Sequence, residues 1–322
     1  MRPLLTALTA ALVMAMPVEA ARREISELTP LTTIRLGKTA DWVALADEAV
    51  WVGTTGPNAV VQIDPRSNTL GATVLLPGEP CAGLAIGFGS LWVPLCASPN
   101  ELVRVDLHTH AIAQFRDDGP ADHEGGITVS ADSVWLVIDK RGTLARIDPG
   151  SGKIRQKIHV PPGSYNPTYA DGQVFVSRAE GAEVTAVDAN SGAILASIRT
   201  GPNPRFLAGG TGSVWTLNQG DGTLTRIDSH THDLRSTTAL DMPGHGGDIK
   251  LAAGMIWTTS SKAKVPLSIV DAATGELRCQ WSGPGGDSLD VSYDSLWLTN
   301  YDAGTISRYG LSDVLKACRQ TR

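Results

Sequence analysis

Two histidine–carboxylate groups in the chain have the residue types for proton transfer or metal binding. His123 is followed directly by Glu124, and His245 lies three positions before Asp248. Imidazole exchanges protons near neutral pH, and a neighbouring carboxylate can carry a proton or bind a hard cation. The pattern predicts catalytic roles for His245 and His123 and metal-ligand roles for Asp248 and Glu124.

Other polar and aromatic residues are expected to complete the same site. Arg205 has the planar guanidinium that binds a carboxylate or stabilises a developing oxyanion, and Asp287 adds an oxygen ligand for Mg²⁺ or Ca²⁺. No organic cofactor is expected. An alternative interpretation is that these residues only hydrate the rim of a channel. Apolar, stacking or hydrogen-bonding contacts to a ligand are expected from Trp42, Tyr165, Asn166 and Phe206.

The elements that must position these residues follow from a repeat of about 40 residues. Seven aromatic positions fall 41, 43, 40, 40, 42 and 40 residues apart, each within a short strand-like segment. Self-similarity at this period is typical of propeller blades. We therefore predict an all-β protein, a seven-bladed β-propeller of four-stranded blades over residues 31–310. The seven aromatic residues are Trp51, Trp92, Trp135, Phe175, Trp215, Trp257 and Trp297.

A second repeated marker, an aspartate after the third strand, predicts a hairpin turn on the outer side of the blade. His108 and His110 lie in this turn in the second repeat, and His230 and His232 lie in the fifth. Two histidines separated by one residue can also bind zinc or copper. Since both pairs fall in equivalent turns of non-adjacent blades, the turn interpretation is preferred.

The candidate residues lie in the lead-in segments, which we define as the segments immediately before each innermost strand. In a four-stranded blade these segments share one face with the loops between the second and third strands. The aspartate turns lie on the other face. Ligand sites usually occupy the loops around the channel. The lead-in segments differ from one another while the turns repeat, which places the predicted site at the channel mouth.

The two ends of the repeat predict how the ring closes. The seventh repeat has three strands, and residues 31–37 resemble an unpaired outer strand. We predict that this N-terminal strand completes the last blade and removes a free sheet edge. Residues 311–322 are expected to form a C-terminal tail.

Four cysteines predict two disulfides in an exported chain. Cys81 precedes the inner strand of the second blade and Cys96 ends its neighbour, so the two should meet at one end of a hairpin. Cys279 lies on the outer strand of the sixth blade, and Cys318 lies in the tail. The predicted pairs are Cys81 with Cys96 and Cys279 with Cys318.

Composition and the N-terminal segment indicate an exported protein. Residues 1–20 resemble a signal peptide, and no later apolar run is long enough to span a bilayer. The formal net charge of −6 provides no basic surface for nucleic acid. We expect a periplasmic or secreted monomer whose partner is a small molecule or an envelope protein.

The repeated phrase, Ser-Val-Trp-Val followed by Arg-Ile-Asp-Pro and a Ser-Gly turn, resembles the streptogramin lyase (virginiamycin B lyase-like) family and the related YVTN and NHL secreted propellers. The resemblance implies a histidine that acts with carboxylates and magnesium to open a cyclic depsipeptide lactone by elimination. His245, within Gly244-His245-Gly246, is its nearest counterpart, and His123 is the second. Pro243 stands where the family pattern leads us to expect an acidic metal partner.

Two functions remain open at this point. The first is a metal-assisted carbon–oxygen lyase that acts on a lactone or glycoside-like substrate. The second is a noncatalytic propeller that binds a small ligand or a protein on the same face.

Overall fold

The described part of the chain forms short strands, a short 3-10 helix (Ile25–Glu27) and one α-helix at its C-terminal end. The structure, a computed structural model, describes residues 22–116, 119–261, 263–292 and 294–319; the predicted signal peptide lies outside these residues. The elements are β1 (Arg22–Glu24), β2 (Thr32–Arg35), β3 (Thr39–Ala46), β4 (Ala49–Thr55), β5 (Ala59–Asp64), β6 (Thr69–Leu75), β7 (Glu79–Pro80), β8 (Ala85–Gly87), β9 (Ser90–Cys96), β10 (Glu101–Asp106), β11 (Ile112–Arg116), β12 (Ile127–Val129), β13 (Val134–Asp139), β14 (Thr143–Ile147), β15 (Ile154–His159), β16 (Ser164–Ala170), β17 (Gln173–Arg178), β18 (Glu183–Asp188), β19 (Ile194–Arg199), β20 (Pro204–Gly210), β21 (Ser213–Asn218), β22 (Thr223–Asp228), β23 (Leu234–Ala239), β24 (Ile249–Ala252), β25 (Met255–Thr259), β26 (Leu267–Asp271), β27 (Leu277–Ser282), β28 (Leu289–Ser292), β29 (Ser295–Asn300), β30 (Thr305–Gly310) and α1 (Leu311–Arg319).

These strands form seven sheets arranged in a ring, which confirms the predicted seven-bladed propeller. Blades 1, 3, 4 and 5 are four consecutive strands each, beginning at β3, β12, β16 and β20. In blade 2 the innermost strand is divided into β7 and β8, both paired with β9. Blade 6 contains β24 to β27.

Blade 7 is closed by the N-terminal strand, as predicted. β2 pairs antiparallel with β30, with Ile34 opposite Ile306. The order β28, β29, β30, β2 therefore combines the two ends of the chain in one sheet. This closure leaves no break in the ring between the last blade and the first.

The seven repeated aromatic residues form the centre of the packing. Each is at most 1% exposed and lies on the second strand of its blade. Each blade buries one apolar face against the next, so the core is a ring of inter-blade contacts instead of one central cluster.

Arginines on the third strand join consecutive blades. Arg226 lies opposite Trp215 with its guanidinium 5.2 Å from the ring centroid, and its Nη1 donates a 2.8 Å hydrogen bond to the Ala273 carbonyl in the turn of blade 6. Arg308 of blade 7 donates in the same way to the turn of blade 1, at the Pro65 carbonyl and Asn68. The equivalent residues in blades 2 and 3 are Arg104 and Arg146.

The aspartate turns have the geometry expected from the sequence. Asp106 Oδ1 accepts hydrogen bonds from the backbone N–H groups of His108 and Thr109, and Asp228 repeats this arrangement in blade 5. His110 and His232 take the positive φ angles of 60° and 65° that end the turn. The turn interpretation of both histidine pairs is confirmed.

Two segments add to the predicted architecture. β1 pairs in parallel with β27, so blade 6 has a fifth strand, and the predicted tail contains the helix α1. Neither segment belongs to the repeat, which is why its period did not indicate them.

Both predicted disulfides are present, and Cys279–Cys318 ties α1 to blade 6. Among the described residues, no helix is long and apolar enough to cross a membrane.

Candidate functional site

Irregular pairing of the inner strands directs side chains of the lead-in segments toward the channel. Such bulges bend a strand and redirect its side chains. The residues left out of the regular pairing are Asp41 and Trp42 in blade 1, Tyr165 and Asn166 in blade 4, and Arg205 in blade 5. The register shifts lie between Ala40 and Val43, between Ser164 and Pro167, and between Pro204 and Phe206.

An aromatic pair spans the channel beneath the mouth. The rings of Trp42 from blade 1 and Phe206 from blade 5 have centroids 6.1 Å apart, and the residues are only 4% and 5% exposed. Both belong to the largest apolar cluster of the protein. Phe206 is thus mainly a core residue, whereas Trp42 also lines the cavity above it.

A cavity of about 300 Å³ occupies the mouth, and carboxyl groups dominate its wall. No lysine or arginine is among the described residues that line it, and the ionisable groups include His123 and Tyr301. Several carboxylates gathered in a partly enclosed space create a negative potential there. The five acidic residues of the wall are Asp41, Glu79, Glu124, Asp287 and Asp302.

Asp41 experiences this potential most strongly. Its pKa is raised well above the usual value of 3.8, first because burial removes the carboxyl group from water and then because Asp287, Glu124, Asp248 and Glu79 repel its charge. Ionisation of Asp41 is therefore costly unless a cation approaches the cavity.

An Arg205–Tyr165–Glu124 cluster lies beside the cavity. The Arg205 guanidinium is 4.0 Å from the centroid of the Tyr165 ring and donates a 2.7 Å hydrogen bond to its hydroxyl. The Arg205 Nη2 atom is 3.9 Å from Glu124 Oε2, and the Asn166 side chain donates to the Arg205 carbonyl over 2.7 Å. Burial raises the pKa of Tyr165, so its hydroxyl stays protonated.

The predicted catalytic histidines differ in position. His123 is exposed and lines the cavity together with Glu124. His245 is exposed and is not part of the described cavity wall, although its neighbours Gly246 and Gly247 are. Its carbonyl accepts a hydrogen bond from Ser261.

The predicted metal ligands also lie in different places. Asp287 lines the cavity and accepts a 2.7 Å hydrogen bond from the Tyr301 backbone. Asp248 is 6% exposed, accepts from the Ser288 hydroxyl over 2.8 Å and lies 3.4 Å from Lys250 Nζ. Within the described part of the chain, Glu124, Asp248 and Asp287 do not form a group whose ligand atoms lie within 4.8 Å of one another. Binding of Mg²⁺ or Ca²⁺ stays a prediction.

Several polar atoms near the channel have no hydrogen-bond partner among the described residues. They are Trp42 Nε1, Asn166 Oδ1 and Arg205 Nε. Buried polar groups are nearly always hydrogen-bonded, so these atoms can form hydrogen bonds with a bound molecule.

Four residues of the cavity wall with ionisable side chains were not predicted as site residues: Asp41, Glu79, Tyr301 and Asp302. Asp41 and Glu79 lie in lead-in segments, while Tyr301 and Asp302 lie in the loop between the second and third strands of blade 7. Both kinds of segment were expected on this face. The sequence signal that could have found them is the concentration of acidic residues in these two sets of loops.

Comparisons with known proteins agree with the architecture. The crystal structure of BamB from Moraxella catarrhalis is similar with a TM-score of 0.61 and 14% sequence identity, over 88% of this chain and 99% of that one. At this identity the similarity concerns the fold alone. No curated protein matches the sequence.

A family model described as "Outer membrane protein assembly factor BamB" matches residues 97–313, about two thirds of the 322-residue chain. A match of this extent covers most of blades 2 to 7. The chain therefore belongs to this β-propeller family.

Proposed function

We propose that this protein is an extracytoplasmic binding propeller whose acidic channel mouth receives a positively charged group of an envelope protein. The observation that carries the proposal is the partly enclosed cavity with five carboxyl groups in its wall and no lysine or arginine among its described lining residues. Disulfides are typical of proteins outside the cytoplasm, which supports the location.

The dimensions of the mouth favour an organic cation such as a lysine side chain. The carboxyl groups surround about 300 Å³ and are not gathered into a compact coordination group. A lysine ammonium has three hydrogen-bond donors and can contact several separated carboxylates at once. The Trp42–Phe206 pair below provides an apolar floor for the aliphatic stem of the same side chain.

The family supports a protein as the partner. Its description names an assembly factor for outer membrane proteins, a role exercised on other proteins. A propeller of this kind can present its mouth to a basic loop or terminus of such a protein. The expectation of a noncatalytic interaction module is thus our first choice.

A direct test is a titration of the oxidised protein with a fluorescent lysine-rich peptide. The matched control is the same peptide with acetylated lysines, which keeps the length and removes the charge. We expect saturable binding of the first peptide that weakens with salt, and no binding of the second. Equal binding of both peptides would refute the proposal.

A lyase is the second candidate because His123, Glu124 and Asp287 line one cavity. In this proposal His123 removes a proton, Glu124 and Asp287 hold Mg²⁺ or Ca²⁺, and Arg205 stabilises the charge that develops. The resemblance to streptogramin lyases suggests a small lactone as substrate. Liquid chromatography coupled to mass spectrometry of lactones incubated with the protein and Mg²⁺ would detect elimination as a new peak of unchanged mass, whereas hydrolysis would add the mass of water. Loss of this activity in His123→Ala but not in His245→Ala would support the lyase, and no opening of any lactone would exclude it.

A further inference from the structure

One wall of the mouth contains a disulfide with a histidine beside it. Cys81 and Cys96 are bonded to each other, and His123 from blade 3 extends to the same place. The two Sγ atoms and a ring nitrogen of His123 all lie within 4.8 Å of one another. In the described part of the chain, no other three histidine, cysteine or acidic side chains are grouped so closely.

Backbone hydrogen bonds fix this arrangement. The Glu124 N–H donates to the Cys81 carbonyl over 2.7 Å, and the Gly83 N–H donates to the Gly125 carbonyl over 2.8 Å. Glu124 has a positive φ of 58°, so the segment turns sharply after His123. The lead-in segments of blades 2 and 3 are therefore joined directly after the histidine.

The three side chains are those of a metal site whose two cysteine ligands are blocked by the disulfide bond. Thiolate and imidazole are the preferred ligands of Zn²⁺, but a disulfide sulfur is a poor ligand. The His123 ring is exposed and has no hydrogen-bond partner among the described residues. The surrounding carboxyl groups favour the approach of a cation.

We propose that reduction of Cys81–Cys96 creates a zinc site formed by Cys81, Cys96 and His123. A thiol reductant attacks the disulfide, and the protein gains two electrons and two protons while the reductant becomes a disulfide. Binding of Zn²⁺ then displaces the two thiol protons and forms two Zn–S bonds and one Zn–N bond. The fourth position is left for water or an exogenous ligand.

The geometry permits this change with little movement. The Cα atoms of the two cysteines are 5.6 Å apart, and both lie at the same end of a hairpin. Cys81 is buried, whereas Cys96 is only half-buried and provides the accessible side for the reductant. The second disulfide, Cys279–Cys318, does not belong to such a group among the described residues.

The experiment is a zinc titration of the full mature protein, reduced under nitrogen and separated from its reductant, with a chromophoric chelator as competitor. Circular dichroism is recorded first. We expect the reduced protein to bind one Zn²⁺ per chain tightly. The oxidised protein should not bind Zn²⁺ tightly. Cobalt in place of zinc should give the absorption band of thiolate coordination.

Two histidine variants provide the control. His123→Ala should weaken zinc binding at least about tenfold, while His245→Ala, in the lead-in segment of blade 6, should leave the affinity unchanged. The proposal is overturned if the reduced protein binds no zinc, if His123→Ala binds it as tightly as the wild type, or if the β-sheet spectrum is lost and zinc does not restore it. Peptide binding is measured on the oxidised protein, so failure of one proposal does not imply failure of the other.

Discussion

At the scale of single residues, the charge at the channel mouth is the feature that links structure to function. Asp41, Glu79 and Asp287 face the same cavity, and the raised pKa of Asp41 shows the cost of placing them together. Residues that decrease stability without a structural benefit often mark a functional site. The negative mouth is best explained as the receptor for a cation.

Asp41→Asn is expected to stabilise the free protein at neutral pH. Because the folded-state pKa of Asp41 lies above its unfolded value of 3.8, the folded state binds more protons between these two values. The group therefore contributes full stability only below pH 3.8, and this contribution is lost as pH rises through the folded pKa. Thermal melts at several pH values should show a higher Tm for Asp41→Asn at pH 7 and a smaller difference at pH 3.5. A lower Tm at pH 7 would contradict the role given to Asp41.

Sequence reasoning reached most of these residues but not their arrangement. The lead-in segments were recognised because they interrupt the repeat, and His123, Glu124 and Asp287 do line one cavity. Asp248 was expected there as well, yet it pairs with Lys250 and Ser288 inside the channel. Its position depends on the side of the inner strand from which it projects, and bulges change that side without a pattern in the sequence.

At the scale of elements, the repeat encodes contacts between blades as well as strands within them. The third-strand arginine packs beside the tryptophan of its own blade and donates to the turn of the next. The repeated aspartate holds that turn in place. The two repeated markers thus act together across each blade interface.

Arg226→Ala should destabilise the protein by about 1–3 kcal/mol. The variant loses hydrogen bonds from Nη1 to the Ala273 carbonyl and from Nε to Ser213, together with the contact over Trp215. Arg199→Ala, on the exposed outer strand of blade 4, is the control and should change stability by less than about 0.5 kcal/mol. Urea unfolding measures both, and equal stability of the two variants would show that the bridge contributes nothing.

Asp271→Ala tests the turn itself. Asp271 Oδ1 accepts hydrogen bonds from the backbone of Ala273 and Thr274, and its other oxygen pairs with Arg278. Loss of such a cap costs about 1 kcal/mol. Hydrogen bonds from Arg278 and Thr274 lower the pKa of Asp271 to about 2 from 3.8, so its contribution is present above pH 3.8 and is lost as pH falls toward 2. The stability difference from wild type should decrease over this interval; a difference at pH 2 as large as that at pH 7 would contradict the assignment.

At the scale of the whole molecule, closure of the ring combines the two ends of the chain. β2 completes blade 7, and Arg308 bridges blade 7 to the turn of blade 1. The repeat predicted this closure because one strand was missing at the end and one was unpaired at the start. It did not predict β1 or α1, whose positions on blades 6 and 7 follow from local apolar contacts of Ile25, Leu28 and Val314.

Two deletions separate closure from these added contacts. Removal of all residues before Gly37 eliminates β1, the 3-10 helix Ile25–Glu27 and β2, whereas removal of residues before Leu31 eliminates the first two and keeps β2. The longer deletion should lower Tm far more, because it also exposes an edge of blade 7 and opens the ring. Similar Tm values for the two shortened proteins would show that β2 does not secure the propeller.

The most direct test of the central claim locates the bound cation. A fluorescent lysine-rich peptide is titrated into three oxidised proteins: the wild type, a mouth variant and a control variant. The mouth variant is Asp41→Asn/Asp287→Asn. The control variant, Asp47→Asn/Glu48→Gln, removes two carboxylates from the turn between β3 and β4 on the opposite face. Because charge-assisted hydrogen bonds contribute about 1.5–3 kcal/mol each, the mouth variant should bind at least about tenfold more weakly, and the control variant should bind like the wild type. Equal weakening in both variants would show that only net charge matters and that the mouth is not the binding site.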